Sequence, residues 1–144
     1  MNLFGMLELS GSALGAERQR AEVVASNMAN AQTTRTPAGG PYRRQLVIFE
    51  SQRVPRFSLA LSGVQRESSS AVRVAAVVSD QRPPVLRFEP GHPDANTQGY
   101  VAYPQVDPIE EMTDLLGAVR AYELNASAVQ ATKLMITQSL SLLQ

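Results

Sequence analysis

The chain has 144 residues, with 13 basic and 13 acidic side chains that give a formal net charge of zero at pH 7. A neutral chain has no global field that favours nucleic acid or an anionic membrane surface. Cysteine is absent, which excludes a disulfide framework, a thiol nucleophile and a thiolate metal site.

The charge is nevertheless uneven along the chain. Residues 37–106 carry eight arginines against five acidic residues, a net charge of +3, whereas residues 107–144 carry two basic residues against five acidic ones, a net charge of −3. This asymmetry would help to orient neighbouring copies of the chain.

The N-terminal stretch lacks the features of a conventional secretory signal peptide. Its first basic residue is Arg18, and Glu8 interrupts the apolar run. No apolar run in the sequence approaches the ~18 residues needed to span a bilayer. Composition alone therefore predicts a cytoplasmic protein.

A first helix is predicted from Asn2 to about Asn30. Apolar residues recur there at spacings of three and four, with Ser10 and Glu17 as exceptions. The members of this pattern are Leu3, Leu7, Leu14, Ala21, Val24, Met28 and Ala31. The helical pattern ends in a stretch with three threonines, two prolines and the Gly39-Gly40 turn.

The middle of the chain is predicted to be β-rich. Strands are expected at 43–50, less clearly at 53–61 because of Pro55, at 71–78, at 85–88 and at 99–103. The residues between the last two strands, including Glu89 to Asp94, form a turn by composition.

The last third of the chain predicts the longest helix, which would run from Pro108 to Leu143. Residues recur at spacings of three and four without a slip, and only Lys133 is not apolar. They are Met112, Leu115, Val119, Tyr122, Ala126, Val129, Lys133, Ile136, Leu140 and Leu143. A 3.5-residue spacing predicts a coiled-coil seam. Lys133 either reaches to the edge of this seam or fixes its register against an acidic partner.

The start of this helix is well marked. Asp107 can cap the first turn, Pro108 tolerates the first helical position, and Glu110 can complete a capping box. A helix of this length would extend roughly 54 Å, which is too long for a compact domain of this size to bury alone. The helix therefore needs partners.

The fold class predicted from these elements is mainly α with a small β-rich insertion, in which long N- and C-terminal helices pair as a coiled-coil-like hairpin. Residues 1–36 and 107–144 would form the core helical domain, and residues 37–106 the β-rich middle segment.

The sequence predicts no catalytic, cofactor-binding or metal-binding residue. His92 is the only histidine and lies in a Pro/Gly turn, so it is interpreted as a turn or surface residue. Glu110 and Glu111 are adjacent on a helix and do not face each other, so their capping role is a sufficient explanation. Neither a phosphate-binding loop nor calcium-loop spacing is present.

Two stretches resemble axial proteins of the bacterial flagellum. Residues 13–45, with the SNMANA core at Ser26 to Ala31 and the later Tyr42-Arg43, resemble the N-terminal motif that these proteins share. Residues 88–135, with the run EPGHPDA, then GYV and DPIEEM, are similar to the proximal rod proteins in particular. Residues 46–87 show no motif.

The resemblance implies a structural subunit of the flagellar rod, whose helices pack into the tube around the export channel to transmit torque. It implies localisation in the basal body, in a rod that crosses the periplasm, after type III export without a cleaved signal peptide. The implied partners are the rod proteins FlgB, FlgF and FlgG, the FliE adaptor and membrane-ring base, and further copies of the chain, without nucleic acid or direct membrane insertion.

The residues expected to pack against other subunits are the seam positions given above together with six residues of the first helix. These six are Leu14, Ala21, Val24, Asn27, Met28 and Asn30. On the residues alone, a helical adaptor or chaperone of a secretion system is the alternative function, and the motif at 88–135 argues against it.

Overall fold

A computed structural model of the chain describes residues 3–53 and 70–142. The described part contains, in chain order, α1 (Leu3–Ala29), β1 (Gln45–Arg53), β2 (Ser70–Ser79), β3 (Val85–Phe88), β4 (Tyr100–Tyr103) and α2 (Pro108–Ser141). Strand β1 pairs with β2, and β3 pairs with β4. The strand expected at 53–61 lies outside the described residues except for Arg53, which ends β1.

The chain divides into two compact units. One consists of Met1–Gln19, Ile48–Ala76 and Ala118–Gln144, and the other of Arg20–Val47 and Val77–Gly117. Each unit combines segments from both ends of the chain with a segment of the middle.

In the first unit, a side chain of α1 contacts the first part of β2. Ser12 Oγ accepts a hydrogen bond from the backbone N–H of Val72 at 3.0 Å and also lies 2.8 Å from the carbonyl oxygen of Leu9. On the exposed side of the sheet, Arg73 donates two hydrogen bonds to Glu50 across the β1–β2 pair. The buried apolar residues described in this unit are Ala16 and Ala118, both small.

In the second unit, β3 and β4 form an antiparallel hairpin. Its register opposes Leu86 to Ala102 and Phe88 to Tyr100. Because side chains alternate across a strand, these two pairs share one face of the hairpin. The opposite face carries Val101, which is fully buried.

Helix α2 begins as its sequence predicts. Asp107 Oδ1 accepts a hydrogen bond from the backbone N–H of Ile109 at 2.9 Å, which is the bond of an N-terminal cap. Pro108 is the first helical residue, where its missing N–H leaves no intrahelical bond unmade. The predicted Asp107 cap and the helix start at Pro108 are therefore confirmed.

The fold-class prediction, by contrast, is wrong. The described residues form two helices and two small antiparallel sheets, which suits a helical hairpin with a β insertion, but no coiled coil is shown. The reason is visible on α2. The buried line is Glu111 (0% exposed), Ala118 (0%) and Thr132 (1%), whereas the expected seam residues one position later, Met112 (56%) and Val119 (43%), are exposed.

A buried helix face can repeat every 3.5 residues even when its residues are small or polar. The sequence prediction instead assigned the seam to the large apolar residues. Four of the nine described seam residues are half-buried, namely Leu115, Ala126, Val129 and Ile136. Tyr122, Lys133 and Leu140 are exposed. Leu143 lies outside the described residues.

Candidate functional site

A buried polar cluster lies in the second unit, at the junction of α1, β1 and the start of α2. We call Asn27, Tyr42, Arg44, Gln45 and Glu111 the polar cluster. Asn27 and Glu111 are fully buried, and the Arg44 side chain is nearly so. Buried polar groups of this kind are tolerated only when they are hydrogen-bonded.

Asn27 uses the full hydrogen-bonding capacity of its amide. Its Nδ2 donates to the carbonyl oxygen of Gln45 at 2.9 Å and to Glu111 Oε2 at 3.0 Å. Its Oδ1 accepts from the backbone N–H of Gln45 at 2.9 Å and from the Tyr42 hydroxyl at 2.9 Å. An amide offers two donors and two acceptor lone pairs, so none remains unmet. Asn27 therefore binds the first residue of β1 as a neighbouring strand would.

The Glu111 carboxylate is held from two sides. Arg44 Nε donates to Glu111 Oε1, while Asn27 binds Oε2. The Arg44 guanidinium also lies 3.5 Å from Asp114 Oδ2 and 3.9 Å from Glu110 Oε1. Arg20 on α1 reaches Asp114 Oδ1 at 3.4 Å. The Arg44 guanidinium is thus surrounded by three acidic residues from the first two turns of α2.

These contacts join three separate parts of the sequence. Asn27 lies on α1, Arg44 immediately precedes β1, and Glu111 lies in the first turn of α2. Removing one partner of a buried ion pair is strongly destabilising, although the intact pair adds little net stability. The cluster therefore specifies which segments meet.

The loop between α1 and β1 positions Tyr42. Thr36 and Gly40 form a turn in which Thr36 N–H donates to the Gly40 carbonyl at 2.9 Å. Gly39 and Gly40 both have positive φ, 87° and 73°, a conformation that side chains disfavour. The loop then returns to the helix end, where Tyr42 N–H donates to the Thr33 carbonyl at 3.0 Å.

Asn30 supports the same helix end. Its Nδ2 donates to the Ser26 carbonyl oxygen at 2.9 Å, and its Oδ1 accepts from the Thr33 hydroxyl at 3.2 Å. Asparagine near a helix end commonly binds local backbone groups in this way. Its contacts are local, whereas those of Asn27 span most of the chain.

The motif at 88–103 is used to build the β3–β4 hairpin. Asn96 Oδ1 accepts hydrogen bonds from the backbone N–H groups of Gln98 and Tyr100, both at 2.9 Å. The Tyr103 hydroxyl donates to Glu89 Oε2 at 2.9 Å, and this bond to a carboxylate raises the pKa of Tyr103. His92 Nδ1 accepts from the Asp94 N–H at 3.1 Å. This places the histidine in a turn, as its sequence context predicts.

A depression of about 130 Å³ lies beside the polar cluster, bordered by Gly39 to Arg44 and by Asp80, Arg82, Pro84 and Gln105. Two arginines that border the depression form hydrogen bonds with neighbouring side chains. Arg82 donates to Asp80 Oδ2 at 2.6 Å, and Arg43 donates to Gln81 Oε1 at 3.1 Å. The backbone N–H of Arg82, followed by its side chain, lowers the pKa of Asp80.

Across residues 3–53 and 70–142, neither helix contains an apolar stretch of the length that a membrane span needs. Within the same ranges, no group of three or more His, Cys, Asp or Glu side chains is placed to hold a metal ion.

The expected packing residues of α1 occupy mixed environments. Val24 and Asn27 are buried, while Leu14, Ala21, Met28 and Asn30 are half-buried. The structure brings Asn27 together with Tyr42, Arg44 and Glu111, none of which the sequence reasoning had selected. Glu111 was missed because a cap explains an acidic residue in a first turn. Its partner Arg44 is 67 residues away in sequence, and no local pattern connects them.

The buried polar cluster, together with the exposed apolar residues of α2 such as Met112, Leu116 and Val119, favours the class of structural proteins that pack against other chains. The family models agree with this class. Residues 7–35 match the flagella basal body rod protein family, and residues 97–142 match the C-terminal family of the flagellar basal body rod FlgEFG proteins.

Full-length relatives narrow the class further. The chain is 40% identical over 149 residues to the flagellar basal-body rod protein FlgC of Bacillus subtilis, with 99% of each chain covered. It is 37% identical over 155 residues to FlgC of Borreliella burgdorferi, with 100% and 99% covered. For FlgC of Salmonella typhimurium, identity is 36% over 142 residues, with 99% and 98% covered. The chain belongs to the FlgC family of flagellar basal-body rod proteins.

Membership in this family establishes the general function of the chain. The chain is a structural subunit of the flagellar basal-body rod, and it serves motility as part of the flagellum. It assembles with other rod and basal-body proteins. The sequence-based interpretation as a rod subunit is confirmed, and the alternative of a secretion adaptor or chaperone is not supported.

Proposed function

We propose that both helical ends of the chain, residues 1–36 and 107–144, pack against those of neighbouring rod subunits and build the tube around the export channel. In this arrangement the packed helices transmit torque along a rod that crosses the periplasm. The subunit works by assembly and not by catalysis.

The observation that supports this proposal is the distribution of side chains around α2. The large apolar residues Met112, Val119 and Leu140 are exposed in the isolated chain, while small or polar residues of the same helix are buried. Large exposed apolar side chains on a helix mark an interaction site. A helix with this arrangement gains most of its burial from partners.

The proposed packing residues are six residues of α1 and the seam positions of α2. On α1 they are Leu14, Ala21, Val24, Asn27, Met28 and Asn30. On α2 they are Met112, Leu115, Val119, Tyr122, Ala126, Val129, Lys133, Ile136 and Leu140, and Leu143 follows the described part. Those already buried within the chain would act by fixing the shape of the packing surface.

The proposed partners are the other rod proteins FlgB, FlgF and FlgG, the FliE adaptor at the membrane-ring base, and further copies of the chain. No role in nucleic-acid binding or direct membrane insertion is proposed. The zero net charge and the apolar side of α2 both favour protein partners.

The test is a charge placed on the exposed apolar side of α2. In Val119→Asp the new carboxylate is solvated in the isolated subunit, so folding changes little. In an assembled rod it would lose its water without gaining a cation, at a cost of several kcal/mol. We expect the variant to be produced and exported but to leave cells non-motile, with rods missing from purified basal bodies.

Gln130→Asp is the matched control, because it adds the same charge at an exposed polar position of the same helix. We expect it to support motility. Circular dichroism of both purified variants checks that α2 is intact. Normal swimming of Val119→Asp cells would show that this side of α2 is not an assembly surface.

A further inference from the structure

The segment that connects β3 to β4 contains a histidine that accepts a backbone hydrogen bond. His92 Nδ1 accepts from the Asp94 N–H at 3.1 Å, and His92 is half-buried. A ring nitrogen of histidine accepts a hydrogen bond only when it carries no proton. The bond therefore identifies Nδ1 as the unprotonated nitrogen and the ring as neutral.

Three other residues in the described part of the chain make the same kind of bond. Asp80, Asn96 and Asp107 each accept, through Oδ1, the backbone N–H of the second residue after them, at 2.9 Å. An asparagine amide does not titrate, and an aspartate is protonated only in stronger acid than a histidine. Histidine is the side chain that changes its charge between pH 5 and 8. Of these four bonds, the one at His92 is therefore the one that mild acid removes.

Asp94 connects the histidine turn to the loop that follows α1. Its Oδ2 accepts from the Thr34 hydroxyl at 2.8 Å, and its Oδ1 lies 3.8 Å from Arg35 Nη1. The hydrogen bond with Thr34 joins residues 60 positions apart in sequence. The bond from Asp94 N–H to His92 closes the turn that presents this carboxylate. His92 thus helps to hold the turn against the loop.

The charged groups around the turn are two carboxylates and two guanidiniums, those of Glu89, Asp94, Arg35 and Arg87. The Tyr103 ring faces the His92 ring, with centroids 6.3 Å apart. Its hydroxyl donates to the Glu89 carboxylate at 2.9 Å, and the Arg87 guanidinium lies 4.8 Å from its centroid. Because charges of both signs are present in equal number, loss of the hydrogen bond decides the effect of protonation.

We propose that the contact between His92 and Asp94 is a proton-sensitive device that holds the β3–β4 turn against the loop after α1. When the ring takes up a proton, Nδ1 becomes a donor that faces the Asp94 N–H, so the bond breaks and the link to Thr34 weakens. The stability that the bond contributes is present at neutral pH and is lost as the pH falls through the range in which histidine is protonated. The device belongs to the single chain and does not depend on how subunits pack.

The matched variant is His92→Asn. Its Oδ1 can take the place of Nδ1, as Asn96 shows four residues later, but it does not titrate. Urea denaturation of the full-length unsubstituted chain and of the variant, at about pH 8 and about pH 5, gives the change in each folding equilibrium constant. We expect the unsubstituted chain to lose about fivefold more than the variant in acid, which is the effect of one typical hydrogen bond.

A local measurement follows the bond directly. In a chain labelled with ¹⁵N, the amide signals of Asp94 and Thr34 should shift together as the pH falls through the histidine range. The Gln98 amide is the internal control, because its acceptor is an asparagine oxygen, and we expect its signal to stay in place. This titration needs no substitution, so it remains decisive if His92→Asn does not fold.

Each outcome supports or overturns the proposal. Equal losses in acid for the unsubstituted chain and His92→Asn overturn it. A smaller loss for the unsubstituted chain also overturns it, since the protonated ring would then be stabilised by Asp94 or Glu89. If the Asp94 amide shifts while the Thr34 amide does not, protonation breaks the bond without reaching the loop after α1, and the proposed link is wrong.

Discussion

The polar cluster and the exposed side of α2 distribute their side chains in opposite ways. In the cluster, an amide, a guanidinium and a carboxylate are buried and satisfy one another. On α2, Met112, Leu116 and Leu124 are more than half exposed. A small protein usually buries its leucines and exposes its charges.

The difference shows how the chain separates two requirements. Hydrogen bonds and ion pairs demand defined geometry, so the buried cluster determines which segments of one chain meet. Apolar contact is less directional, and the exposed side of α2 is suited to the partners that the proposed packing requires. In the proposed packing, folding specificity and assembly energy come from different residues.

The largest expected effect comes from a substitution in the buried polar cluster. Glu111→Gln removes the charge that faces Arg44 and leaves a buried guanidinium without its main partner. Disrupting a buried pair in this way costs about 3–5 kcal/mol, and we expect a loss of that size in the free energy of unfolding, measured by urea denaturation.

Glu110→Gln is the control for that measurement, since it changes the same functional group one residue earlier. The Glu110 side chain is 60% exposed, and an exposed ion pair contributes about 0–1 kcal/mol. Equal losses for the two variants would show that the burial of Glu111 does not matter.

A second variant tests whether the buried line of α2 is closely packed. Ala118→Leu adds three carbon atoms at a fully buried position, and overpacking of this kind typically costs about 1–3 kcal/mol. We expect a lower thermal midpoint with unchanged helix content in circular dichroism. A midpoint at or above that of the unsubstituted chain would mean that the space beside Ala118 is open.

The smallest expected effect comes from a substitution on the exposed side of α2. Leu124 is 72% exposed, so Leu124→Ser should change the free energy of unfolding of the isolated chain by no more than about 0.5 kcal/mol. The same urea titration measures it. A loss above 2 kcal/mol would show that this leucine is part of a core within the chain, and the contrast between the two regions would then fail.

The sequence predicted local structure better than it predicted which side of a helix faces inward. The bounds of β3, the cap at Asp107 and the start of α2 follow from residues within a few positions of one another, and the structure has them where expected. The predicted seam of α2 lies one position after the buried residues, which are Glu111, Ala118 and Thr132. Apolar periodicity identifies the side of a helix that is suited to burial, either within the chain or against a partner. In α2, much of that side is exposed in the single chain.

The polar cluster was harder to predict for a different reason. Asn27 was selected from its motif as a packing residue, but its four hydrogen bonds depend on where Tyr42 and Gln45 lie after folding. Arg44 and Glu111 are separated by most of the β-rich middle. Such a pair becomes visible only when the fold has brought α1, β1 and α2 together.

The pairing of Asn27 with Gln45 also fixes how β1 is placed along its length. If the strand slipped by one residue, the backbone groups opposite the amide would point the other way, and every side chain of the strand would change face. Arg44 would then turn away from Glu111, whose buried carboxylate would be left without a cation. A misregistered strand thus loses the amide pairing and the ion pair at once, so a single asparagine side chain selects one alignment of the strand over its nearest competitors.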